Sequence, residues 1–174
     1  MKLELTEVVD NIVRDRLIEC SANPGLWPTP RLYDPATRAQ VESLEGQCGQ
    51  ALEETYKDFL YLTDGMSGFY MTMLILGCRN WESMDDTANL ALRFRDELVE
   101  DMQHEDVGLA EGANLFPLSV NRDASSGVFM FTQEGVSERY WWPGEGSSLF
   151  FETFTELLHY SLDPTSCSPR HYLA

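Results

Sequence analysis

The N-terminal segment alternates apolar and polar residues with the spacing of an amphipathic helix. Its apolar positions recur every three or four residues: Leu5, Val9, Ile12, Val13, Leu17 and Cys20. The segment that follows, "SANPGLWPTPRLYDP", contains four prolines and a glycine, which are typical of a loop. We therefore expect residues 1–33 to form one helix and a proline-rich loop.

A second helix is predicted to begin at Asp34 and Pro35. An aspartate is a favoured N-cap, and proline is favoured at the first helical position because its missing N–H would have no partner there. The inward side of this helix is expected to carry Val41, Leu44 and Cys48.

A third, short helix and a buried strand are predicted next. The apolar side of the helix carries Tyr56, Phe59, Leu60 and Thr63. Gly65 is typical of the left-handed residue that ends a helix. The apolar run Phe69–Leu76 is too short for a typical helix and has turn residues at both ends, which favours one strand buried on both faces.

The second half of the chain predicts a long helix, a strand meander and a last helix. Ser83 and Asp86 have the spacing of a capping box, and they introduce a helix whose inward positions are Ala91, Phe94, Leu98 and Met102. Short β runs separated by turn sequences follow at Phe116–Asn121, Val128–Thr132 and Ser137–Trp142. Thr153 and Glu156 have a second capping-box spacing, ahead of the last helix.

This order of elements predicts a single α+β domain. We expect a mixed, mainly antiparallel sheet of about four to six strands flanked by helices. Residues 34–162 would form its core, and residues 163–174, with two prolines, an extended tail.

The chain is strongly acidic, with 29 Asp and Glu residues against 12 Lys and Arg and a net charge of −17. That charge disfavours direct contact with nucleic acid or anionic membranes and favours a cationic partner. The alternative interpretation is that the acidic surface only keeps the protein soluble. No apolar run approaches the roughly 20 residues of a spanning helix. The four cysteines are dispersed and no signal peptide is evident, which together predict free thiols in the cytoplasm.

Residues that could carry catalysis are scattered. His104, His159 and His171 show no metal-binding spacing, and all three are expected at the surface or at edges. Cys78 lies beside Arg79, which could lower the pKa of its thiol, but the sequence indicates no base for it. We therefore expect no enzyme activity, no cofactor and no metal site.

The segment 96–111 contains seven carboxylates and no Lys or Arg. Self-repulsion within such a segment is relieved by a bound cation or by solvent. It is therefore interpreted either as a docking surface for a basic partner or as a solvated helix end, and both interpretations remain open. Further upstream, Asp85 and Asp86 could hold a divalent cation, but helix capping already accounts for them.

The sequence "RYWWPGEG" is a second unusual feature. Neighbouring residues of a strand point to opposite faces, so Trp141 and Trp142 cannot share one core. If helices cover one face only, an aromatic set is exposed and could form a binding hot spot. If a helix covers the second face as well, both tryptophans are buried. The candidate partner-binding residues are Asp85, Asp86, Asp96, Glu97, Glu100, Asp101, Glu105, Asp106, Glu138, Tyr140, Trp141 and Trp142.

The segment "YKDFLYLTDG", residues 56–65, resembles the hallmark of the SUKH superfamily, a helix with a Tyr and a Phe-Leu pair that stops at Asn-Gly before a core strand. Thr153–Leu158 resembles the helix that closes that fold, and the element order agrees over Pro35–Leu162. Two positions depart from the family pattern: Glu53 replaces a proline and Asp64 replaces the asparagine.

The SUKH resemblance implies a binding protein rather than an enzyme. Bacterial members commonly neutralise a toxin that acts on nucleic acid, and such toxins are basic. The leading hypothesis is a cytoplasmic immunity protein that blocks a cationic toxin domain. The alternative is a regulatory or scaffold protein that uses the same fold to bind host or phage proteins.

Overall fold

The computed structural model describes residues 2–144 and 146–173, with the side chains of residues 2 and 3 left aside. Seven helices and seven strands lie within those residues. The helices are α1 (Lys2–Ala22), α2 (Arg38–Cys48), α3 (Glu54–Leu62), α4 (Cys78–Ser83), α5 (Asp86–Glu100), α6 (Gln103–Asp106) and α7 (Phe154–Leu162). The strands are β1 (Arg31–Leu32), β2 (Met66–Tyr70), β3 (Met73–Ile75), β4 (Phe116–Val120), β5 (Gly127–Met130), β6 (Tyr140–Gly144) and β7 (Ser147–Phe151).

The strands form one sheet in which each pairs with its neighbour in the sequence, in the order β1 to β7. Every pairing is antiparallel. The α+β class is thus confirmed. The sheet has seven strands rather than four to six, and the predicted mixed pairing is wrong, because each connection between neighbouring strands reverses the chain direction.

The largest correction concerns the apolar run Phe69–Leu76, which is not one strand. It contains the end of β2, a two-residue turn at Met71 and Thr72, and the whole of β3. Met71 has a φ of 51°, which non-glycine residues rarely adopt. The chain reverses here without a turn signal of the Asn-Gly type, which is why its hydrophobicity suggested a continuous strand.

Helices cover both faces of the sheet. The Trp141 ring lies 5.7 Å from that of Phe129, which in turn lies 5.7 Å from Phe94 of α5. The neighbouring Trp142 points the other way, and its ring lies 6.2 Å from Tyr160 of α7. Helix α1 packs against α7, α3 and β2 on this second side. The interpretation in which both tryptophans are buried is therefore the one that the structure shows.

Asp64 and the two glycines Gly65 and Gly77 build the joint between α3 and the sheet. The Asp64 carboxylate is buried and accepts hydrogen bonds from the backbone N–H groups of Cys78, at 2.5 Å, and Arg79, at 3.1 Å. It therefore caps the start of α4. Gly65 has a φ of 92°, but α3 ends at Leu62 and its C-cap is Thr63, in extended conformation, so Gly65 is not the predicted helix cap.

Two predicted helix starts are shifted along the chain. The N-cap of α2 is Thr37, which forms a capping box with Gln40, rather than Asp34. The N-cap of α5 is Asp85, whose carboxylate accepts from the N–H groups of Thr87 and Ala88. In both cases a nearby residue able to accept a hydrogen bond replaced the predicted one.

Most predicted inward positions of the helices are buried, Val13 and Cys20 are partly buried, and two are exposed. Val41, Leu44 and Cys48 of α2 lie in the core as predicted. Leu17 and Met102 are exposed instead, and Met102 is so because it lies past the end of α5, in left-handed conformation.

The C-terminal tail is attached to the sheet rather than free. Phe150 forms a β-bridge with Arg170, and Leu173 is buried and donates its N–H to the Val107 carbonyl. Arg170 also pairs with the buried carboxylate of Glu138, at 3.1 Å. The tail therefore closes the β7 edge of the sheet.

Candidate functional site

The end of α5 exposes a group of carboxylates on one helix surface. Asp96, Glu97, Glu100 and Asp101 are all exposed, and their spacing of three and four residues places them side by side. Arg95 pairs with Asp96 at 2.7 Å. No described cation lies within ion-pair distance of Glu97, Glu100 or Asp101. The end of α5 and its C-cap therefore carry three exposed carboxylates without an ion-pair partner among the described residues, although Arg93 and Arg95 lie on the same half of the helix.

Helix α6 continues the acidic surface after a sharp change of direction. Met102 has a φ of 58°, and the next turn of helix brings Asp106 to the surface. Glu105 is half-buried, with Oε1 3.9 Å from Nε2 of His104. His104 itself is buried, so its predicted surface position is wrong. Its Nδ1 has no hydrogen-bond partner among the described residues.

Three of the exposed carboxylates line two depressions that meet at Gln103. Glu97 and Asp101 line the first, of about 340 Å³, opposite Gly144 and Gly146 of the β6–β7 hairpin. Asp106 lines the second, of about 490 Å³, together with residues of β6, β7 and the C-terminal tail. We call this continuous concave surface the acidic groove. It gives the acidic segment a shape into which a partner could insert.

Asp85 and Asp86 do not belong to the acidic groove. They lie at the start of α5, and a helix rises about 1.5 Å per residue, so about 20 Å separates them from Glu100. Asp85 also accepts a hydrogen bond from Asn80 Nδ2 at 2.7 Å, besides capping α5. The structure therefore gives Asp85 a structural role and leaves only Asp86 as an isolated exposed carboxylate.

The aromatic candidates are buried rather than exposed. Tyr140 and Trp141 are 0% and 1% exposed, and Trp142 is 7% exposed. Glu138 is also buried and pairs with Arg170. Their prediction as an open interface is wrong, because α5 covers one face of the sheet and α1 and α7 cover the other.

Burial also fixes the chemistry of Tyr140. Removal from solvent raises the pKa of its phenol well above the ordinary value, and the nearby Glu53 carboxylate raises it further. The phenol therefore stays protonated and donates to Oε2 of Glu53 at 2.9 Å. The same Glu53 oxygen accepts from the Phe154 N–H at the start of α7. Through Glu53, Tyr140 of β6 is thus linked to the first residues of α3 and α7.

Cys78 is not an activated nucleophile. Burial, and after it the neighbouring Asp64 carboxylate, raise the pKa of its thiol to about 12. Arg79, which could have lowered it, points to the Tyr33 ring, with Cζ 3.3 Å from the centroid. The described residues contain no group of three or more potential metal ligands.

Sequence reasoning missed another concave surface, which we call the aromatic cleft. It lies where the β2–β3, β4–β5 and β6–β7 turns meet. Its rings come from four distant segments: Trp27, Tyr70, Trp142 and Tyr160. Only the folded meander brings them together, and no spacing in the sequence indicates it.

Within the described part of the chain, no helix combines the length and the apolar character needed to cross a membrane. No protein-family model matches the chain, and no curated protein matches it, so its resemblance to SUKH proteins stays a prediction.

Proposed function

We propose that this chain is a protein-binding module without catalytic activity whose acidic groove docks a cationic protein. The partner that fits best is a basic toxin domain acting on nucleic acid, which the chain would neutralise as an immunity protein in the cytoplasm. One observation carries the proposal: the unpaired carboxylates of Glu97 and Asp101 line a concave surface, and Glu100 is exposed on the same end of α5.

Electrostatics support this partner class. A net charge of −17 attracts a basic protein over about a Debye length and speeds its diffusional encounter. The carboxylates of the acidic groove then supply local complementarity, because guanidinium and ammonium groups would relieve their mutual repulsion. The buried Cys78 and Tyr140, whose pKa values are raised, argue against a catalytic role for either residue. All four cysteines are free thiols, which agrees with a reducing compartment.

The proposal is tested by co-expression with a basic toxin domain whose gene lies beside the gene of this chain. We expect the wild-type protein to restore growth and the triple variant Glu97→Gln/Glu100→Gln/Asp101→Asn to lose most of that protection. Rim charges mainly affect association, so we expect the association rate constant to fall by about tenfold or more. Growth and the rate constant, measured with the purified toxin domain, check this result.

A matched control removes three negative charges from other exposed positions of the chain. The variant Glu7→Gln/Asp10→Asn/Glu134→Gln loses as much total charge as the groove variant but leaves the acidic groove intact. It should protect nearly as well as wild type. If both variants lost the same amount of protection, the total charge of the chain, rather than the acidic groove, would be responsible for toxin binding. Failure of the wild-type chain to bind the toxin would refute the immunity assignment.

A further inference from the structure

The aromatic cleft lies at one end of the antiparallel meander, where three hairpin turns meet. Met71 and Thr72 come from the β2–β3 turn, and Ser125 from the β4–β5 turn. Trp27 of the loop after α1 and Tyr160 of α7 close the sides. Its volume of about 560 Å³ lies in the range, roughly 300 to 1,000 Å³, of pockets that hold small ligands or side chains.

The walls of the aromatic cleft are formed before any ligand arrives. The Tyr70 and Tyr160 rings both stand edge-on to the Trp142 ring, with centroids 5.3 Å and 6.2 Å from it. Trp142 Nε1 donates to Ser126 Oγ at 3.1 Å, which holds the indole in place. A ligand would therefore meet rings that are already oriented, and little ordering would be needed on binding.

The charge of the aromatic cleft is negative. Its lining includes one carboxylate, that of Asp123, and no Lys, Arg or His among the described residues. The Ser125 hydroxyl and N–H both donate to this carboxylate and hold its pKa below the ordinary value, so it stays ionised. Asn121 and Ser125 add polar groups beside it.

One of these rings already accommodates a guanidinium. Arg16 of α1 lies over the Tyr70 ring, with Cζ 5.5 Å from the centroid. That arginine is fully engaged, because it also donates to the Phe69 and Ser161 carbonyls and pairs with Glu19 at 2.6 Å. It does not itself line the aromatic cleft.

We propose that the aromatic cleft receives an arginine side chain of the cationic protein partner. A planar guanidinium stacks on aromatic rings and offers five donors, which suit the Asp123 carboxylate and the polar turn residues around it. The aromatic cleft and the acidic groove share Ser125 and Gly144, so one partner can occupy both. This inference rests on the proposed function, because it identifies how the same partner is anchored.

The test uses two short peptides that differ in one side chain, which is charged in the first and neutral in the second. Acetyl-Ala-Arg-Ala-amide is titrated into the whole chain while the indole N–H signals of Trp27 and Trp142 are followed by NMR. The same peptide with citrulline in place of arginine keeps the shape and removes the charge. We expect saturable shifts with the arginine peptide and at least fivefold weaker binding with the citrulline peptide.

Two variants locate the binding. Trp27→Ala removes one wall, and Asp123→Asn removes the charge but keeps an oxygen that can accept from Ser125; each should weaken the arginine peptide by about fivefold or more. Leu26→Ala is the control, since Leu26 is exposed in the same loop and does not line the aromatic cleft. Thermal melting of each variant verifies that it folds.

The outcomes separate this inference from the proposed function. Three results would overturn the arginine site. The two peptides could bind equally well, or the arginine peptide could shift other NMR signals while both indole signals stay unchanged. A neutral sugar such as methyl glucoside could also bind more tightly than the arginine peptide. If the toxin domain binds through the acidic groove while Trp27→Ala and Asp123→Asn bind it as wild type does, the inference alone fails. If the arginine peptide binds as expected but no basic protein does, the proposed function fails and the site stands.

Discussion

Replacing Gly77 with alanine is expected to lower the free energy of unfolding by about 3 kcal/mol, or to prevent folding altogether. An added Cβ would lie 2.2 Å from the Asp64 carbonyl oxygen and 2.4 Å from Asp64 Oδ1. Neither atom can move freely, because the first is backbone and the second caps α4 through the N–H groups of Cys78 and Arg79. The substitution would therefore force Gly77 away from Asp64 and disrupt the joint that Asp64, Gly65 and Gly77 form.

Urea unfolding followed by circular dichroism measures this effect, and Gly46→Ala is the matched control. Gly46 lies inside α2, and an added Cβ there meets nothing within 4 Å. Alanine should stabilise the chain at this position by about 0.5–1 kcal/mol, because glycine is unfavourable inside a helix. A Gly77→Ala protein as stable as wild type would show that the joint is looser than the structure indicates.

The second large effect is expected at Glu53, just before α3. Its carboxylate is the N-cap of α3 and accepts from the N–H and hydroxyl of Thr55. It also accepts from the Tyr140 hydroxyl and the Phe154 N–H. Glu53→Ala would leave the buried phenol and two helix N–H groups without partners, so we expect the free energy of unfolding to fall by about 3 kcal/mol.

A double-mutant cycle that combines Glu53→Ala with Tyr140→Phe isolates the contribution of the hydrogen bond between these two side chains. If the Glu53–Tyr140 bond contributes as argued, the two substitutions will be non-additive by about 1 kcal/mol. The neighbouring Glu54→Ala serves as control, because Glu54 is exposed and makes only a surface pair with Lys57. Its effect should stay below about 0.5 kcal/mol. Additive effects of the first two substitutions would contradict a shared network.

The local elements of this fold could be predicted from local chemistry. Helical spacing indicated the buried residues of α2, and the predicted β runs around Phe116–Asn121 and Val128–Thr132 overlap β4 and β5. Thr153 does cap α7, accepting from the Glu156 N–H. These features depend on interactions between residues a few positions apart, and such interactions are visible in a sequence.

Features that depend on distant contacts could not be predicted in the same way. The reversal at Met71 has no characteristic turn residue, and it forms because β3 pairs with both β2 and β4. Strand β1 has only two residues, Arg31 and Leu32, and exists through its pairing with β2. Likewise, both Trp141 and Trp142 are buried because one helix layer covers each face of the sheet. The packing of α1, α5 and α7 onto the sheet is not visible in the sequence.

The candidate site shows the same division. The acidic segment was evident from composition, and the structure keeps Asp96, Glu97, Glu100, Asp101 and Asp106 at the surface. That Glu97, Asp101 and Asp106 line a groove could not be seen in the sequence, since the opposite wall comes from the β6–β7 hairpin, more than thirty residues further along. The aromatic cleft is a more extreme case, because its rings belong to four segments.

The association rate constant with the basic toxin domain, measured across a salt series, tests the central claim most directly. Between about 0.01 M and 1 M salt the Debye length falls from about 30 Å to about 3 Å. We predict that the rate constant of the wild-type chain falls steeply over this range. The Glu97→Gln/Glu100→Gln/Asp101→Asn variant should start lower and depend less on salt. A rate constant that is independent of salt, or identical in the two proteins, would contradict the acidic groove as the docking surface.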